Sequence, residues 1–177
     1  MGVVVLHNDS VSPVPPDPFT PLIVAHARML KCVESLRDLL HAPWSAASAA
    51  AVDACLSAHI AEHHRIEEED LFPLLIEASV ARDKLGRMMA LIETLTLDHR
   101  DMERIWLQLR PAIVRVSGGR RAVLDSFLVD CFAALQVIHV ANEETVLFPL
   151  ARTTLSGIQL AALTRRIRRG RGAVHSV

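Results

Sequence analysis

Two stretches of this 177-residue chain decide its reading: "HHRIEEEDLFP" at residues 63–73 and "HVANEETVLFP" at residues 139–149. Extended backwards, "CLSAHIAEHHRIEEEDLFP" (55–73) aligns without a gap on "CFAALQVIHVANEETVLFP" (131–149). Cys, Ala, His, Glu, Glu, Leu, Phe and Pro recur in register. The shared frame is His-x-x-x-Glu-Glu-x-x-Leu-Phe-Pro. Four residues along an α-helix rise about 6 Å and turn about 40° past a full circle. His63 and Glu67 therefore project from one face, as do His139 and Glu143. Both His63/Glu67 and His64/Glu68 have this spacing, and the repeat separates them: His139 aligns with His63, while His64 meets Val140. The register excludes His64 from the shared set and puts it, with Glu69 and Asp70, on the outer face. Glu68 recurs as Glu144 without a role that spacing alone defines.

The flanking segments repeat more loosely. "AHARML" (25–30) stands beside "DHRDME" (98–103), each with a His and a Met three residues later. The chain thus reads as two helical hairpins related by a pseudo-two-fold, a repeat too short for a solenoid. Apolar periodicity from Leu22 to Leu40 predicts helix 1, with Thr20 as its cap and Pro21 at the first helical position. The Ala-rich run predicts helix 2 from about Ala46 to Phe72. Helix 3 is expected from Val80 to Leu109, stopping before Pro111, and helix 4 from Arg120 to Phe148, after the turn at Ser117–Gly119. A shorter fifth segment, "LSGIQLAALTRRIRR", would cap the assembly. Strand signals are weak. The expected fold is all-α, an antiparallel up-down four-helix bundle. The expected layout is a Pro-rich arm over 1–18, the bundle over 19–152, and a C-terminal helix with a basic tail over 153–177.

Composition narrows the function. Hydrophobic residues make up 51% and the net charge is −1, a globular balance that argues against a generic polyanion binder. Arginines at 165, 166, 168, 169 and 171 are a weak hint of nucleic-acid contact; they lack interleaved aromatics and suit a helix C-terminus. No apolar run reaches the ~20 residues of a membrane span, and the N-terminus has no signal-peptide pattern. The three cysteines, Cys32, Cys55 and Cys131, are widely spaced with no CxxC pair. That favours buried thiols in a reducing compartment over a disulfide framework, and a cytoplasmic location. Cys55 and Cys131 each precede their repeat histidine by eight residues and are expected to point inward as core. Phe72, Phe148 and Trp106 are expected around the polar cluster. His59, one turn before His63, has Leu135 at its repeat position and reads as core or supporting.

With His26 and His99, each predicted helix aims one His at the bundle axis. The inventory is His26, His63, Glu67, His99, His139 and Glu143. So many buried polar groups need partners, because an unpaired buried carboxylate costs several kcal/mol. Two divalent metals would satisfy them, with imidazoles as terminal ligands and carboxylates as bridges. Mixed N/O ligation suits iron, manganese or zinc. Six ligands on two ions leave positions for an oxo or hydroxo bridge, water, O2 or NO. The absence of Tyr excludes a tyrosyl radical or Tyr ligand.

From His26, through "HHRIEEEDLFP" and His99 in "LDHRDME", to "HVANEETVLFP", the chain resembles hemerythrin-like proteins with the HHE cation-binding domain. The resemblance covers about residues 20–152. It implies a four-helix bundle holding a non-haem diiron centre, with the six residues above as ligands and the two Glu as bridges. The pattern departs from oxygen-carrying hemerythrins. Helix 3 offers His99 with Glu103 four residues on, where the carriers have a second His, and helix 4 has its acid four residues after His139 rather than five. Glu103 is thus a candidate seventh ligand. The resemblance implies an O2-, NO- or peroxide-binding protein of iron homeostasis or the oxidative or nitrosative stress response. Any catalysis would be metal-centred redox, peroxide breakdown or ferrous oxidation. The rival readings are a non-enzymatic metal-binding sensor, or a bundle with a structural cation such as zinc.

Overall fold

The computed structural model describes residues 17–41, 45–80 and 85–174, with side chains as far as residue 168. Every regular element among them is helical: α1 (Phe19–Asp38), α2 (Ala46–Arg65), the π-helix π1 (Ile66–Leu71), α3 (Phe72–Val80), α4 (Leu85–Ser117), α5 (Ser126–Asn142), the π-helix π2 (Glu143–Leu147), α6 (Phe148–Thr154) and α7 (Gly157–Val174). α2, π1 and α3 run on without a break, as do α5, π2 and α6, so the elements form five rods. α1 packs on α2 and α5, α2 on α4, and α4 on α5.

Local chemistry accounts for most boundaries, including those that differ from expectation. α1 begins at Phe19, and Asp17, not Thr20, supplies the capping acceptor: its carboxylate takes the Phe19 N–H at 3.3 Å and the Thr20 hydroxyl at 3.4 Å. α2 begins at Ala46 as expected, and Ser45 caps it by accepting from the Ser48 N–H. α4 does not stop before Pro111 but continues to Ser117. Pro111 is exposed, as is Leu107, whose carbonyl would have taken the missing N–H, so water can serve it. Continuing the helix buries Ile113 and Val116. Gly119, at φ 73°, then ends the rod, with the Arg120 N–H returning to the Arg115 carbonyl. The fourth long rod starts at Ser126, not Arg120, because Asp125 caps it through the Leu128 N–H.

The two π-helices are the local signature of Leu-Phe-Pro. A proline at position 73 or 149 cannot donate to the preceding turn. The residue before it bonds one position further back: Phe72 N–H to the Glu67 carbonyl, and Phe148 N–H to the Glu143 carbonyl. The widened turn inserts an extra residue, so the Glu at its start and the Leu-Phe at its end both face inward. Glu67, Leu71 and Phe72 are all buried, as are Glu143, Leu147 and Phe148.

The interior consists of two apolar clusters. One contains Met29, Leu56, Ile60, Met102, Trp106 and Phe132. The other contains Leu22, Ile66, Phe72, Leu95, Leu147 and Phe148, and α7 closes it with Leu163 and Ile167. Trp106 therefore packs on Phe132 in the first cluster, while the two Phe of Leu-Phe-Pro belong to the second. Along each of the four rods other than α7 a histidine separates the clusters: His26 lies between Leu22 and Met29, His63 between Ile60 and Ile66, His99 between Leu95 and Met102, and His139 between Phe132 and Leu147. A polar layer thus crosses the core.

The cysteine expectation is corrected. Cys32 and Cys55 form a disulfide between α1 and α2, with Cα atoms 6.3 Å apart; Cys131 is free and half-buried. Residues 23 apart in sequence become neighbours because the two helices pack side by side, which spacing along the chain cannot reveal. The expected N-terminal arm lies outside the described residues except at its end. No helix among the described residues is long and apolar enough to cross a membrane.

Candidate metal centre

All six sequence candidates meet in the polar layer. His26, His63, Glu67, His99, His139 and Glu143 are each no more than 3% exposed. They form two groups of donor atoms, each within 4.8 Å: His26, His63, Glu67 and Glu143 in one, and Glu67, His99, His139 and Glu143 in the other. Both carboxylates belong to both groups. Glu67 turns Oε1 to His63 Nε2 (3.2 Å) and Oε2 to His99 Nε2 (3.3 Å). Glu143 turns Oε2 to the Nε2 atoms of His26 (2.9 Å) and His63 (3.5 Å), and Oε1 to His139 Nε2 (3.0 Å). The imidazoles also face each other, with Nε2–Nε2 distances of 2.9 Å for His26–His63 and 3.2 Å for His99–His139.

Such convergence fits a cation better than a hydrogen-bond network. Among the described residues, none of the four carboxylate oxygens receives a hydrogen bond of good geometry, although all are buried. Two buried carboxylates without donors, each ringed by imidazole nitrogens, form a hard, mixed N/O donor set. Without metal, protons must balance the charge. Burial alone would push His63 down, but Glu67 and Glu143 carry it up to about 10. His139 is likewise depressed by burial and raised on balance by Glu143 and Glu67. Burial would raise the Glu143 carboxyl, yet His139, His26 and His63 hold it well below the usual carboxylate range. Cation binding would displace these protons.

The outer nitrogens are anchored by acids. His26 Nδ1–H donates to Glu144 at 2.8 Å, and His99 Nδ1–H to Glu68 at 2.8 Å. Each contact reaches across to the other hairpin, which gives the repeated second Glu its role. A carboxylate on Nδ1 fixes the tautomer with the Nε2 lone pair free and raises its basicity. His139 Nδ1–H reaches Asp98 at 3.3 Å, whereas His63 Nδ1 is buried without a partner among the described residues. Ring faces are covered too: Phe148 stacks on His26 at 5.6 Å and Phe72 on His99 at 6.1 Å.

His64 is not an outer-face residue. It is 3% exposed and stacks on His99 with centroids 3.9 Å apart. The i,i+4 rule places only one face, and the crowded interior where the rods meet also takes the adjacent residue. Its Nδ1–H points to Glu103 at 3.3 Å and its Nε2 is buried and unpartnered. Burial, then the neighbouring imidazoles, push it down to about 2, so it is neutral. Asp70 too is only 15% exposed, beside Arg65 and Arg166, while Glu69 is 66% exposed, as expected. Glu103 lies outside both donor groups; 38% exposed, it pairs with His64 and Arg100. His59 turns away from the cluster to the Cys55 carbonyl. Asp98 and His64 carried no repeat signal, because Ala25 and Val140 stand at their counterparts.

The hemerythrin HHE cation-binding domain family model matches residues 17–151, and the chain belongs to that family. No curated protein and no solved structure gives a significant match. The buried His/Glu cluster fits the family's cation-binding character.

Proposed function

We propose that this chain is a non-haem diiron protein binding O2, NO or peroxide, in iron homeostasis or the oxidative or nitrosative stress response. In this reading an antiparallel up-down four-helix bundle holds the pair of ions. His26 and His63 would hold one, His99 and His139 the other, and Glu67 and Glu143 would bridge them. The observation that carries the reading is the sharing of both buried carboxylates by both histidine pairs. Bound iron would supply redox chemistry and open positions for a small ligand. The chain's own residues do the rest. Glu144, Glu68 and Asp98 hold protons at Nδ1 of His26, His99 and His139, leaving each Nε2 as a donor. Phe72 and Phe148 exclude water from the ring faces. His64, held neutral beside His99, keeps an unpartnered Nε2 acceptor inside the same layer.

Metal analysis with an aerobic absorption spectrum tests the iron assignment. The expected result is iron with near-ultraviolet charge-transfer bands; a colourless protein holding only zinc contradicts it. Oxygen release on adding H2O2 separates peroxide breakdown from ligand binding without turnover.

A further inference from the structure

The disulfide-bonded pair lies away from the metal cluster. Cys32 is six residues beyond His26, and Cys55 eight before His63. Helical rise puts them roughly 9 and 12 Å along their helices from those imidazoles. Cys32 and Cys55 both line a cleft of about 570 Å³ between α1 and α2, together with Arg28, Lys31, Asp38 and His59. Cys55 is half-buried, while Cys32 is buried at 8% exposure.

His59 is set for thiol chemistry. Its Nδ1 lies 2.7 Å from the Cys55 carbonyl oxygen and 3.8 Å from the Cys55 sulfur. A carbonyl only accepts, so Nδ1 carries the hydrogen, and the same N–H is within reach of Sγ. A thiolate on Cys55 gains that donor, and Arg28 and Lys31, set against Asp38, leave the lining of the cleft net positive. The repeat lacks this arrangement: Ile105 and Leu135 stand where Cys32 and His59 do, leaving Cys131 as a free thiol.

We propose that Cys32 and Cys55 form a thiol–disulfide exchange site for small, carboxylate-bearing thiols, with Cys55 as the sulfur that meets the substrate. The incoming thiolate bonds to Cys55 Sγ, the Cys55–Cys32 bond breaks, and Cys32 leaves with the electron pair and takes a proton. A second small thiolate attacks the substrate sulfur of this mixed disulfide. The electron pair returns to Cys55, which is protonated, and the disulfide of the two small thiols departs. The protein gains two electrons and two protons, and the two thiols lose them; a small disulfide drives the reverse. The cations of the cleft suit the carboxylate of such a thiol, and His59 acts as a positioning residue.

Glutathione and its disulfide are the probes, used on the full-length Cys131→Ser protein. Two alkylatable thiols should appear after glutathione treatment with the far-ultraviolet helical signal unchanged, and disappear after the disulfide is added. With Cys32→Ser added, oxidised glutathione should cap Cys55 at least about tenfold faster than it caps Cys32 when Cys55→Ser is added instead, the rate following thiolate fraction and access. His59→Ala should move the midpoint of Cys55 alkylation to higher pH. Capping of Cys32 as fast as Cys55, reduction only on unfolding, or an untreated aerobic protein with both thiols free would each overturn the proposal. Metal content, read on the same samples, is independent of these outcomes, so failure of the diiron reading leaves this test intact.

Discussion

The two histidine pairs share their carboxylates but differ in what stands behind them. His99 and His139 are the better-supported pair. Glu68 backs His99, Asp98 backs His139, and His99 is flanked by the rings of Phe72 and His64. Behind the other pair, Glu144 backs His26 and Phe148 covers it, but His63 Nδ1 has no partner. The sequence repeat shows why. Ala25 occupies the position of Asp98, and Val140 that of His64. The repeat preserves the clustered His and Glu and drops half of the groups that stand behind them. Two ions held this way should bind with unequal affinity, the His99/His139 side tighter.

The largest effect should come from the shared residues. Glu143→Ala or Glu67→Ala removes a ligand from both donor groups, so bound metal should fall close to zero by elemental analysis. His63→Ala should lose chiefly the ion on its own side. Equal losses for all three variants would break the comparison.

The asymmetry itself is tested next. Removing an acid behind a metal-bound imidazole typically lowers affinity about 10–100-fold. Asp98→Ala should weaken the tighter site by that order in a chelator competition, and Ala25→Asp should strengthen the weaker one. Glu68→Ala and Glu144→Ala, which act on equivalent contacts, should have similar effects.

Proton linkage gives a smaller effect. In the metal-free protein His64 is held to about 2, far below its unfolded value of 6.5. Below pH 6.5 the unfolded chain takes a proton that the folded chain refuses, so stability falls as pH falls. Between pH 6.5 and 5 this amounts to about 2 kcal/mol. His63 has the opposite sign. Its folded value of about 10 means it contributes stability fully below pH 6.5 and loses it as pH rises toward 10. Denaturant titrations of metal-free protein should therefore show less acid loss in His64→Leu than in the parent. An identical pH profile would remove His64 from the account. Smallest of all, Glu69→Ala should leave metal content unchanged, since its exposed carboxylate pairs with Arg65 at the surface.

Much of the site was legible because the repeat carries its own ruler. Leu-Phe-Pro aligned the two helices, picked His63 over His64 as the repeated residue, and paired Glu67 with Glu143. The same tripeptide proved to be structural: its proline widens the turn that presents each Glu, and its Phe covers a histidine of the opposite hairpin. What stayed hidden depends on contacts between helices without a repeat partner. Asp98, His64 and the Cys32–Cys55 bond each involve a residue whose counterpart is Ala25, Val140 or Ile105. Periodicity also cannot tell that a proline on a wet helix face is tolerated, as at Pro111, or that Asp125 rather than the Ser-Gly-Gly turn starts the helix of His139.

If two ions share Glu67 and Glu143, the chain must take up two metals and lose both with either carboxylate. Anaerobic titration of metal-free protein with ferrous iron, with bound iron counted per chain, tests it most directly. The expected result is two irons per parent chain, taken up in two steps of unequal affinity, and close to none in Glu143→Ala. A single iron per parent chain, or two retained by Glu143→Ala, would contradict it.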